Sequence, residues 1–351
     1  MSTDATKKLG IEHPVIQAPM AGGVTTPELV AAVSEAGGLG SIGAAYLSPE
    51  AMSKAIRETR ELTDRPFAVN LFVPQPFEEK PERVERANDL MRSYRNELGI
   101  ECPEHIDGYA PDFEEQFEIV LEEKVPVFSF TFNALEPEFV GRLQENGTTV
   151  VGTATTVEEA ERLEADGSDL IVAQGAEAGG HRGTFLSDFD SAMIGTMALA
   201  PQVVDTVSVP VIASGGIMDG RGLAAALALG ASAVQMGSAF LVCEESGAHP
   251  SYKQTVLEAT DDGTVLTRTF SGRPARGIEN RFVRGMARYE GELPPYPIHN
   301  AWTKDIRGAA KKQNRPEFMS LWTGQAARLA HPLPAGELVS KTVGQASAVR
   351  R

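Results

Sequence analysis

The sequence predicts an α/β fold, a (β/α)8 or TIM barrel with a smaller cap domain inserted after the eighth strand. Eight short apolar segments can each form a buried strand, and each is followed by a stretch able to form a helix. This alternation indicates βαβ units in one parallel sheet, and eight units indicate a barrel. The predicted strands are Val15–Ala18, Leu39–Ile42, Phe67–Phe72, Val127–Phe130, Thr149–Gly152, Leu170–Ala173, Val209–Ala213 and Ala233–Gly237.

Helix start and stop signals separate these strands. Thr26 and Pro27 give a capping residue and a first-turn proline to a helix that ends at Gly37. Asp219 opens a helix rich in alanine and leucine, which stops at Gly230. These signals place helices where a barrel requires them.

Two stretches do not fit a minimal barrel repeat, and they set the predicted domain boundaries. Residues 1–243 form the barrel, in which residues 74–123 are a helical insertion with a charged, solvated helix. Residues 244–312 are predicted to form a cap over the carboxyl ends of the strands. In residues 313–351, the segment RPEFMSLWTGQAARLA is predicted to be a helix that returns to the barrel wall.

Composition excludes several classes of function. The net charge of −16 argues against nonspecific nucleic-acid binding, which needs a basic face. Only two cysteines occur, Cys102 and Cys243, and no CxxC pair, so we expect a reduced cytoplasmic protein without a metal site. The uncharged run 222–243 is interrupted by glycine, serine and glutamine, which favours a helix followed by a strand over a membrane span.

The run DLIVAQGAEAGGHRG, residues 169–183, changes from a buried strand to a glycine-rich loop. Loops at the carboxyl ends of parallel strands form the active face of a barrel. We expect Gln174 to hydrogen-bond a planar ligand, Gly179 and Gly180 to let the backbone approach it, and His181 to be the titratable group that faces it. The alternative is a glycine-rich turn with a surface histidine.

A second motif ends strands seven and eight. Loops at these positions of a barrel commonly offer backbone N–H groups to a phosphate, and glycine lets the phosphate approach. Ser238 can add a hydroxyl donor. The alternative is that the glycines serve only as tight turns, and no GxxxxGK[ST] motif indicates a nucleotide P-loop. The predicted phosphate-site residues are Gly215, Gly216, Gln235, Met236, Gly237 and Ser238.

Strands one and three end in Met20 and Asn70, within the sequences QAPMAGG and NLF. With Gln174, these residues would offer a flat ring two amides and a thioether edge without fixed charge. This pattern suits an isoalloxazine ring, whose pyrimidine edge needs donors and acceptors. Asn70 is alternatively a turn former at the end of a strand.

Taken together, HPVIQAPMAGG, VNLF, VAQGAEAGGHRG, VIASGGIMDGRG, ALGASAVQMGSAFL and TRTFSGRPARGIEN resemble the nitronate monooxygenase family. The resemblance implies bound FMN and oxidation of alkyl nitronates by O2 to a carbonyl compound and nitrite. It implies flavin-ring contacts at Asn70 and Gln174 and a loop glycine at Gly179. It also implies phosphate and ribityl contacts at Gly216, Gln235, Met236, Gly237 and Ser238. It further implies an active-site histidine at His181, and substrate-side residues at Tyr296 and Lys304.

Two positions depart from some members of the family. Thr131 stands where those members have a second histidine, and Asn300 stands where they have a second tyrosine. These differences leave the flavin site intact and weaken the expectation for a particular nitronate, including propionate 3-nitronate.

The cap is rich in arginine, which would either steer an anionic substrate or pair with surface acids. These arginines are Arg268, Arg273, Arg276, Arg281, Arg284 and Arg288.

Other functions remain open on the sequence alone. A flavin-dependent enoyl-acyl-carrier-protein reductase or an NAD(P)H:quinone reductase has a similar barrel, although this chain has no separate GxGxxG unit for a nicotinamide. A flavin-binding module without turnover is a third possibility. The sequence does not indicate an oligomeric state.

Overall fold

The computed structural model describes residues 1–349, so the last two residues of the predicted segment 313–351 lie outside it. All eight predicted barrel strands are present, with ends that shift by one or two residues. The strands in the described chain are β1 (Val15–Gln17), β2 (Gly40–Gly43), β3 (Phe67–Phe72), β4 (Val127–Thr131), β5 (Thr149–Ala154), β6 (Leu170–Gln174), β7 (Gly180–His181), β8 (Val211–Ser214), β9 (Ala233–Met236), β10 (Thr264–Thr267) and β11 (Ala275–Ile278).

Helices alternate with these strands and then form most of the cap. Over residues 1–349 they are α1 (Asp4–Leu9), α2 (Pro27–Glu35), α3 (Pro49–Leu62), α4 (Pro81–Leu98), α5 (Phe113–Glu122), α6 (Pro137–Glu145), α7 (Val157–Ala165), α8 (Thr196–Thr206), α9 (Gly220–Ala228), α10 (Ser238–Leu241), α11 (Pro250–Leu257), α12 (Arg281–Met286), α13 (Ile298–Trp302), α14 (Lys304–Lys312) and α15 (Ala335–Val349).

The barrel is one parallel sheet that closes on itself. Its strands are hydrogen-bonded in the order β1, β9, β8, β6, β5, β4, β3 and β2. Backbone hydrogen bonds from Gln17 and to Val15 then join β1 to Leu39, just before β2, which connects the two ends of the sheet. The predicted TIM barrel is therefore confirmed.

The barrel interior is an apolar cluster that α1 covers at one end. Side chains such as Ile16, Val172 and Ile212 are buried together, and Leu9 of α1 packs against them. Thr3, which caps α1, donates to the carbonyl of Ser232, just before β9. Helix α1 therefore covers the amino ends of the strands, and the carboxyl ends face the cap.

A second, smaller sheet attaches the cap to the barrel. Strand β11 pairs antiparallel with β10 and also with β7, which lies in the loop that leaves β6. In this register Ala275 is opposite His181 and Arg276 is opposite Gly180. Backbone hydrogen bonds from the cap thus fix the loop that carries the candidate histidine.

The predicted helix in the insertion is present as α4, but it is not simply solvated. Ala87, Met91 and Arg95 are buried, on the side that contacts α13 and α14 of the cap. Arg95 Nε donates to Asp305 Oδ2 at 2.7 Å, and its NH2 donates to the carbonyl of Trp302 at 2.7 Å. The insertion therefore supports the cap.

The predicted helix over RPEFMSLWTGQAARLA is wrong. This segment contains two short 3-10 turns, Pro316–Phe318 and Ala327–Leu329, and the last helix is α15, which packs on α2 and α9. The amides of Gly324 and Gln325 donate instead to Ser238 Oγ and to the carbonyl of Glu177. These tertiary hydrogen bonds replace the intrahelical ones that propensity favoured.

No helix within residues 1–349 combines the length and the apolar character needed to span a membrane.

We predict that Arg95→Ala lowers the free energy of unfolding by about 2 to 3 kcal/mol, because it leaves the carboxylate of Asp305 and the carbonyl of Trp302 without the donor that Arg95 provides. Urea unfolding followed by tryptophan fluorescence measures the change. Arg92→Ala is the matched control on the same helix, since Arg92 and its partner Asp89 are 57% and 62% exposed. Equal unfolding midpoints for the two variants would contradict the proposed anchoring of the cap.

Candidate active site

A cavity of about 990 Å³ lies between the carboxyl ends of the barrel strands and the cap. It brings together most of the residues singled out from the sequence. The predicted residues that line it are Met20, Asn70, Gln174, Gly179, Gly180, His181, Gly215, Gly216, Gln235, Gly237, Ser238 and Lys304.

Two predicted residues are placed differently. The side chain of Met236 is 1% exposed and lies in the apolar core, because neighbouring residues of a strand point to opposite faces and Gln235 takes the cavity side. Tyr296 does not line the cavity directly. It packs on His181 with ring centroids 5.9 Å apart and on Phe132 at 5.3 Å.

One end of the cavity is lined by glycine turns. Gly215 and Gly216 follow β8 with φ angles of 116° and 71°, which residues with a Cβ rarely adopt. Ser238 Oγ accepts hydrogen bonds from Thr323 Oγ1 and from the Gly324 amide, both at 2.9 Å. Because both are donors to Ser238, the hydroxyl proton of Ser238 is free to donate into the cavity.

Close backbone contact holds this end together. A Cβ on Gly179 would lie 2.5 Å from the carbonyl carbon of Thr323, so only glycine allows the loop after β6 to touch the segment after the cap. Gly179 therefore has a packing role, whereas a Cβ on Gly180 would meet nothing within 4 Å.

The amide side chains differ in what they can offer a ligand. Asn70 Nδ2 donates to Ser129 Oγ at 3.0 Å, which leaves its carbonyl oxygen for the cavity. The oxygen of Gln174 already accepts from the Gly183 amide and from Arg182, and its nitrogen donates to the carbonyl of His181. Gln174 therefore fixes the histidine loop and keeps one N–H for a ligand.

His181 lies at the centre of an aromatic cluster. Its ring lies 5.5 Å from that of Trp322, 5.7 Å from Phe132 and 6.4 Å from Phe72. These side chains come from strand ends and from the segment after the cap, so they restrict the imidazole from several sides.

Ser271 determines which nitrogen of His181 carries the proton. His181 Nε2 and Ser271 Oγ are 2.8 Å apart, and Ser271 Oγ also donates to the buried carbonyl of Arg273 at 3.1 Å. That carbonyl needs a donor, so we assign the serine proton to it and the imidazole proton to Nε2. Nδ1 then has a free lone pair, with no hydrogen-bond partner in residues 1–349.

Burial, with the positive charges of Arg273 and Arg307, lowers the pKa of His181 from 6.5 to about 3. The imidazole is therefore neutral at pH 7. Because the folded pKa is lower than the unfolded one, unfolding takes up a proton between pH 6.5 and 3. Acidification through that window consequently destabilises the fold, and the contribution is fully present above pH 6.5.

Two arginines lie next to His181, of which Arg273 is buried and Arg307 is partly buried. The sequence offered Arg273 only as one of the cap arginines that would steer an anion or pair with surface acids, and it gave no signal for Arg307. Arg273 donates only to neutral oxygens, those of Arg182, Thr184 and Gln75, at 2.6 to 3.0 Å. Burial lowers its pKa to about 9, and the guanidinium is still charged at pH 7. The guanidinium carbon of Arg273 lies 4.0 Å from the ring centroid of Phe132. The backbone φ of Phe132 is 86°, which is unusual for a bulky residue.

The second arginine, Arg307 of α14, lines the cavity and donates to the carbonyl of Asn300 at 2.6 Å and to its side-chain oxygen at 3.1 Å. Asn300, where some relatives have a tyrosine, therefore orients Arg307. Thr131 lines the cavity and donates to Thr153 at 3.4 Å. No carboxylate contacts either arginine in the described chain, although Glu159 is near enough to raise the pKa of Arg273. The positive charges beside His181 therefore have no directly bonded counter-ion.

A buried hydroxyl also faces this region. Tyr46 lines the cavity, and its buried Oη makes no well-formed hydrogen bond in residues 1–349, although the Tyr296 hydroxyl lies beside it. Burial raises the pKa values of Tyr46 and Tyr296, so both hydroxyls are protonated at neutral pH and can donate. An oxygen of a bound ligand would satisfy Tyr46.

Three other cap arginines either hold a loop in place or form ion pairs on the surface. Arg276 holds the loop after β6 through the carbonyl of Ala176 at 2.9 Å. Arg281 and Arg284 pair with the carboxylates of Glu97 and Glu279 on the surface. In the described residues, no group of three or more His, Cys, Asp or Glu side chains is placed to hold a metal ion.

We predict that His181 is the neutral Nε2–H tautomer from pH 5 to pH 8. Nitrogen NMR of protein labelled with 15N-histidine measures this, and the loss of signals in His181→Gln assigns them. Ser271→Ala removes the acceptor for Nε2 and is expected to populate both tautomers. Titration of His181 near pH 6.5, or an Nδ1–H tautomer in the unmutated protein, would contradict the assignment.

Comparison with known proteins finds relatives that match almost the whole chain. A family model described as nitronate monooxygenase matches residues 2–344. A probable nitronate monooxygenase of Staphylococcus saprophyticus is 45% identical over 351 residues, with 99% of each chain covered.

Two solved structures are similar along the whole length. The nitroalkane oxidase of Streptomyces ansochromogenes has a TM-score of 0.93 and 41% identity, with 99% of each chain covered. FabK from Thermotoga maritima has a TM-score of 0.79 and 34% identity, over 100% of this chain and 97% of that one. The resemblance drawn from the sequence motifs is confirmed, and the chain is an enzyme of the nitronate monooxygenase family.

Proposed function

We propose that the chain is an FMN-dependent monooxygenase that oxidises alkyl nitronates with O2 to a carbonyl compound and nitrite. The observation that carries the proposal is the position of His181, between glycine turns suited to a phosphate and two arginines, one buried and one partly buried, suited to an anion. In this proposal residues 1–243 hold the cofactor, residues 244–312 complete the substrate side and residues 313–351 return to the barrel.

The donor set at the ends of the cavity fits FMN. Gly215 and Gly216 expose backbone amides without a Cβ, and Ser238 has a free hydroxyl proton, as a phosphate requires. Asn70 and Gln174 offer an acceptor and a donor to the edge of a flat ring. Bound FMN supplies the electron-transfer chemistry between the nitronate and oxygen.

The region around His181 favours a substrate that is already an anion. Arg273 and Arg307 place positive charge there without a directly bonded counter-ion, and a nitronate brings the matching negative charge. The buried hydroxyl of Tyr46 can donate to a nitronate oxygen. The nitronate carbon already carries the electron density that oxidation needs, so the chain must mainly orient it and exclude water.

His181 can respond to the bound anion without becoming charged. In the empty site Ser271 Oγ accepts from Nε2 across the 2.8 Å contact and donates to the Arg273 carbonyl, and it can donate to Nε2 instead by giving up that carbonyl. When Ser271 donates, Nδ1 carries the proton and can hydrogen-bond a nitronate oxygen. When Ser271 accepts, Nδ1 is a weak base for a neutral nitroalkane, because its pKa is lowered to about 3. This favours nitronates over nitroalkanes as substrates.

We predict that purified protein with its flavin reacts without oxygen when mixed with ethylnitronate or propionate 3-nitronate, with a change in flavin absorbance. The same mixtures are expected to produce nitrite in air. NADPH is the control reductant. Bleaching by NADPH with no response to either nitronate would move the protein to the flavin-dependent reductases, and a protein that takes up no FMN would refute both assignments.

We predict that His181→Ala retains FMN and loses about 100-fold or more of kcat/KM with ethylnitronate, the range expected when a positioned proton donor or acceptor is removed. Flavin absorbance of the dialysed variant checks cofactor retention, and initial rates of nitrite formation measure turnover. His299→Gln is the matched control, because His299 is buried in the cap and bonded to the carbonyl of Thr269. Full activity in His181→Ala would remove His181 from the mechanism.

A further inference from the structure

The cavity continues past the residues proposed for flavin and nitronate, along one face of α14. Lys304, Arg307, Gly308 and Lys311 all line it. Their spacing of three and four residues places them on the same side of a helix. Loop residues 106–112 line the cavity as well, so this part is a channel between the loop and α14 that is open to solvent.

The three cations of this face have no carboxylate partner within residues 1–349. Arg307 donates to backbone and amide oxygens, and neither Lys304 nor Lys311 lies within 4 Å of an acid in the described chain. Three acids of the facing segment, Asp107, Asp112 and Glu115, also line the cavity, but none of them forms an ion pair with these cations in the described chain. The cations are therefore open to direct contact with an anion that lies along this face of α14.

Gly308 supplies a second observation on the same face. A Cβ there would meet nothing within 4 Å, so packing does not require glycine. Glycine inside a helix costs about 1 kcal/mol relative to alanine. The missing side chain of Gly308 leaves space between Arg307 and Lys311, which widens the channel for an extended ligand that lies along α14.

The inner end of the channel contains the buried hydroxyl of Tyr46. It makes no well-formed hydrogen bond in residues 1–349, although the Tyr296 hydroxyl lies beside it, and Arg307 lowers the pKa of Tyr46 against the effect of burial. A polar donor and a cation thus stand together where the channel leaves the aromatic cluster around His181.

We propose that this face of α14 is a subsite for an oxyanion at the far end of an extended ligand whose other end lies over the flavin. The ligand that we infer is a nitronate with a terminal carboxylate on a chain longer than three carbons, and this rests on the proposed function. Four helical residues separate Arg307 from Lys311, a rise of about 6 Å, so Lys311 contacts the carboxylate only of the longer members. The phosphates of a nicotinamide dinucleotide are the other source of the same oxyanion chemistry.

The test compares two nitronates of equal length on the flavin-loaded enzyme, the conjugate bases of 6-nitrohexanoic acid and 1-nitrohexane. The readout is the ratio of kcat/KM for the carboxylated nitronate to kcat/KM for the uncharged one. We expect Lys311→Gln to lower this ratio about threefold and Lys311→Glu to lower it about tenfold. Lys312 is the matched control, because it is the next residue of α14, exposed and outside the cavity lining.

Each outcome has a distinct meaning. A ratio that falls in the Lys311 variants and stays within twofold in Lys312→Gln and Lys312→Glu supports the subsite for a carboxylate. A second arm follows flavin bleaching by NADPH without oxygen, and an effect of Lys311→Gln in that arm alone assigns the subsite to dinucleotide phosphate. Equal behaviour of the Lys311 and Lys312 variants in both arms overturns the subsite. If no nitronate is oxidised by any variant or by the unmutated protein, it is the proposed function that fails.

Discussion

The buried guanidinium of Arg273 is the interaction on which the candidate site depends. It reaches from the cap to carbonyls of the loop after β7 and to Gln75 of the insertion, and it covers the ring of Phe132 at the end of β4. A buried charge must be surrounded by polar atoms, and here these are neutral oxygens. The contacts therefore hold the loops in place and leave the positive charge without a directly bonded counter-ion.

The cavity has two regions with different chemistry, and the charge of Arg273 lies in the region around the histidine. The loops after β8 and β9 belong to the barrel and present amides and a hydroxyl from a rigid sheet. The histidine side is joined to the cap, because β7 pairs with β11 and Ser271 bonds the imidazole. A bound anion would contact both the barrel and the cap, so we infer that the cap selects the substrate while the barrel holds the cofactor.

Local signals in the sequence were enough for the barrel and for its glycine turns. Apolar runs followed by glycine predicted the strands, and the position of His181 after a strand predicted its place on the active face. The alternation of side chains along a strand was also enough to show that Met236 and its neighbour Gln235 point to opposite faces. Ser271 was not predictable in this way, because it is 90 residues from His181 and only the pairing of β7 with β11 brings the two together.

On the face of α14 that lines the cavity, the family resemblance implied a role for Lys304 alone. Arg307 and Lys311 have the pattern of a solvated helix, and their place along the cavity depends on how α14 packs in the cap, where α4 contacts it. In the segment after the cap, the sequence predicts a helix that the structure does not form. The hydrogen bond from the Gly324 amide to Ser238 outweighs the helix propensity there.

The electrostatics of the cavity connect these features to the choice of substrate. A neutral imidazole with a pKa of about 3 has little tendency to take a proton from carbon, so a neutral nitroalkane gains little from His181 in the empty site. We infer that a nitronate, which needs no such transfer, would be stabilised by the arginines that weaken the histidine as a base. We infer that the arginines favour a nitronate over a neutral nitroalkane. They lower the reactivity of the site toward the nitroalkane and raise its affinity for the nitronate.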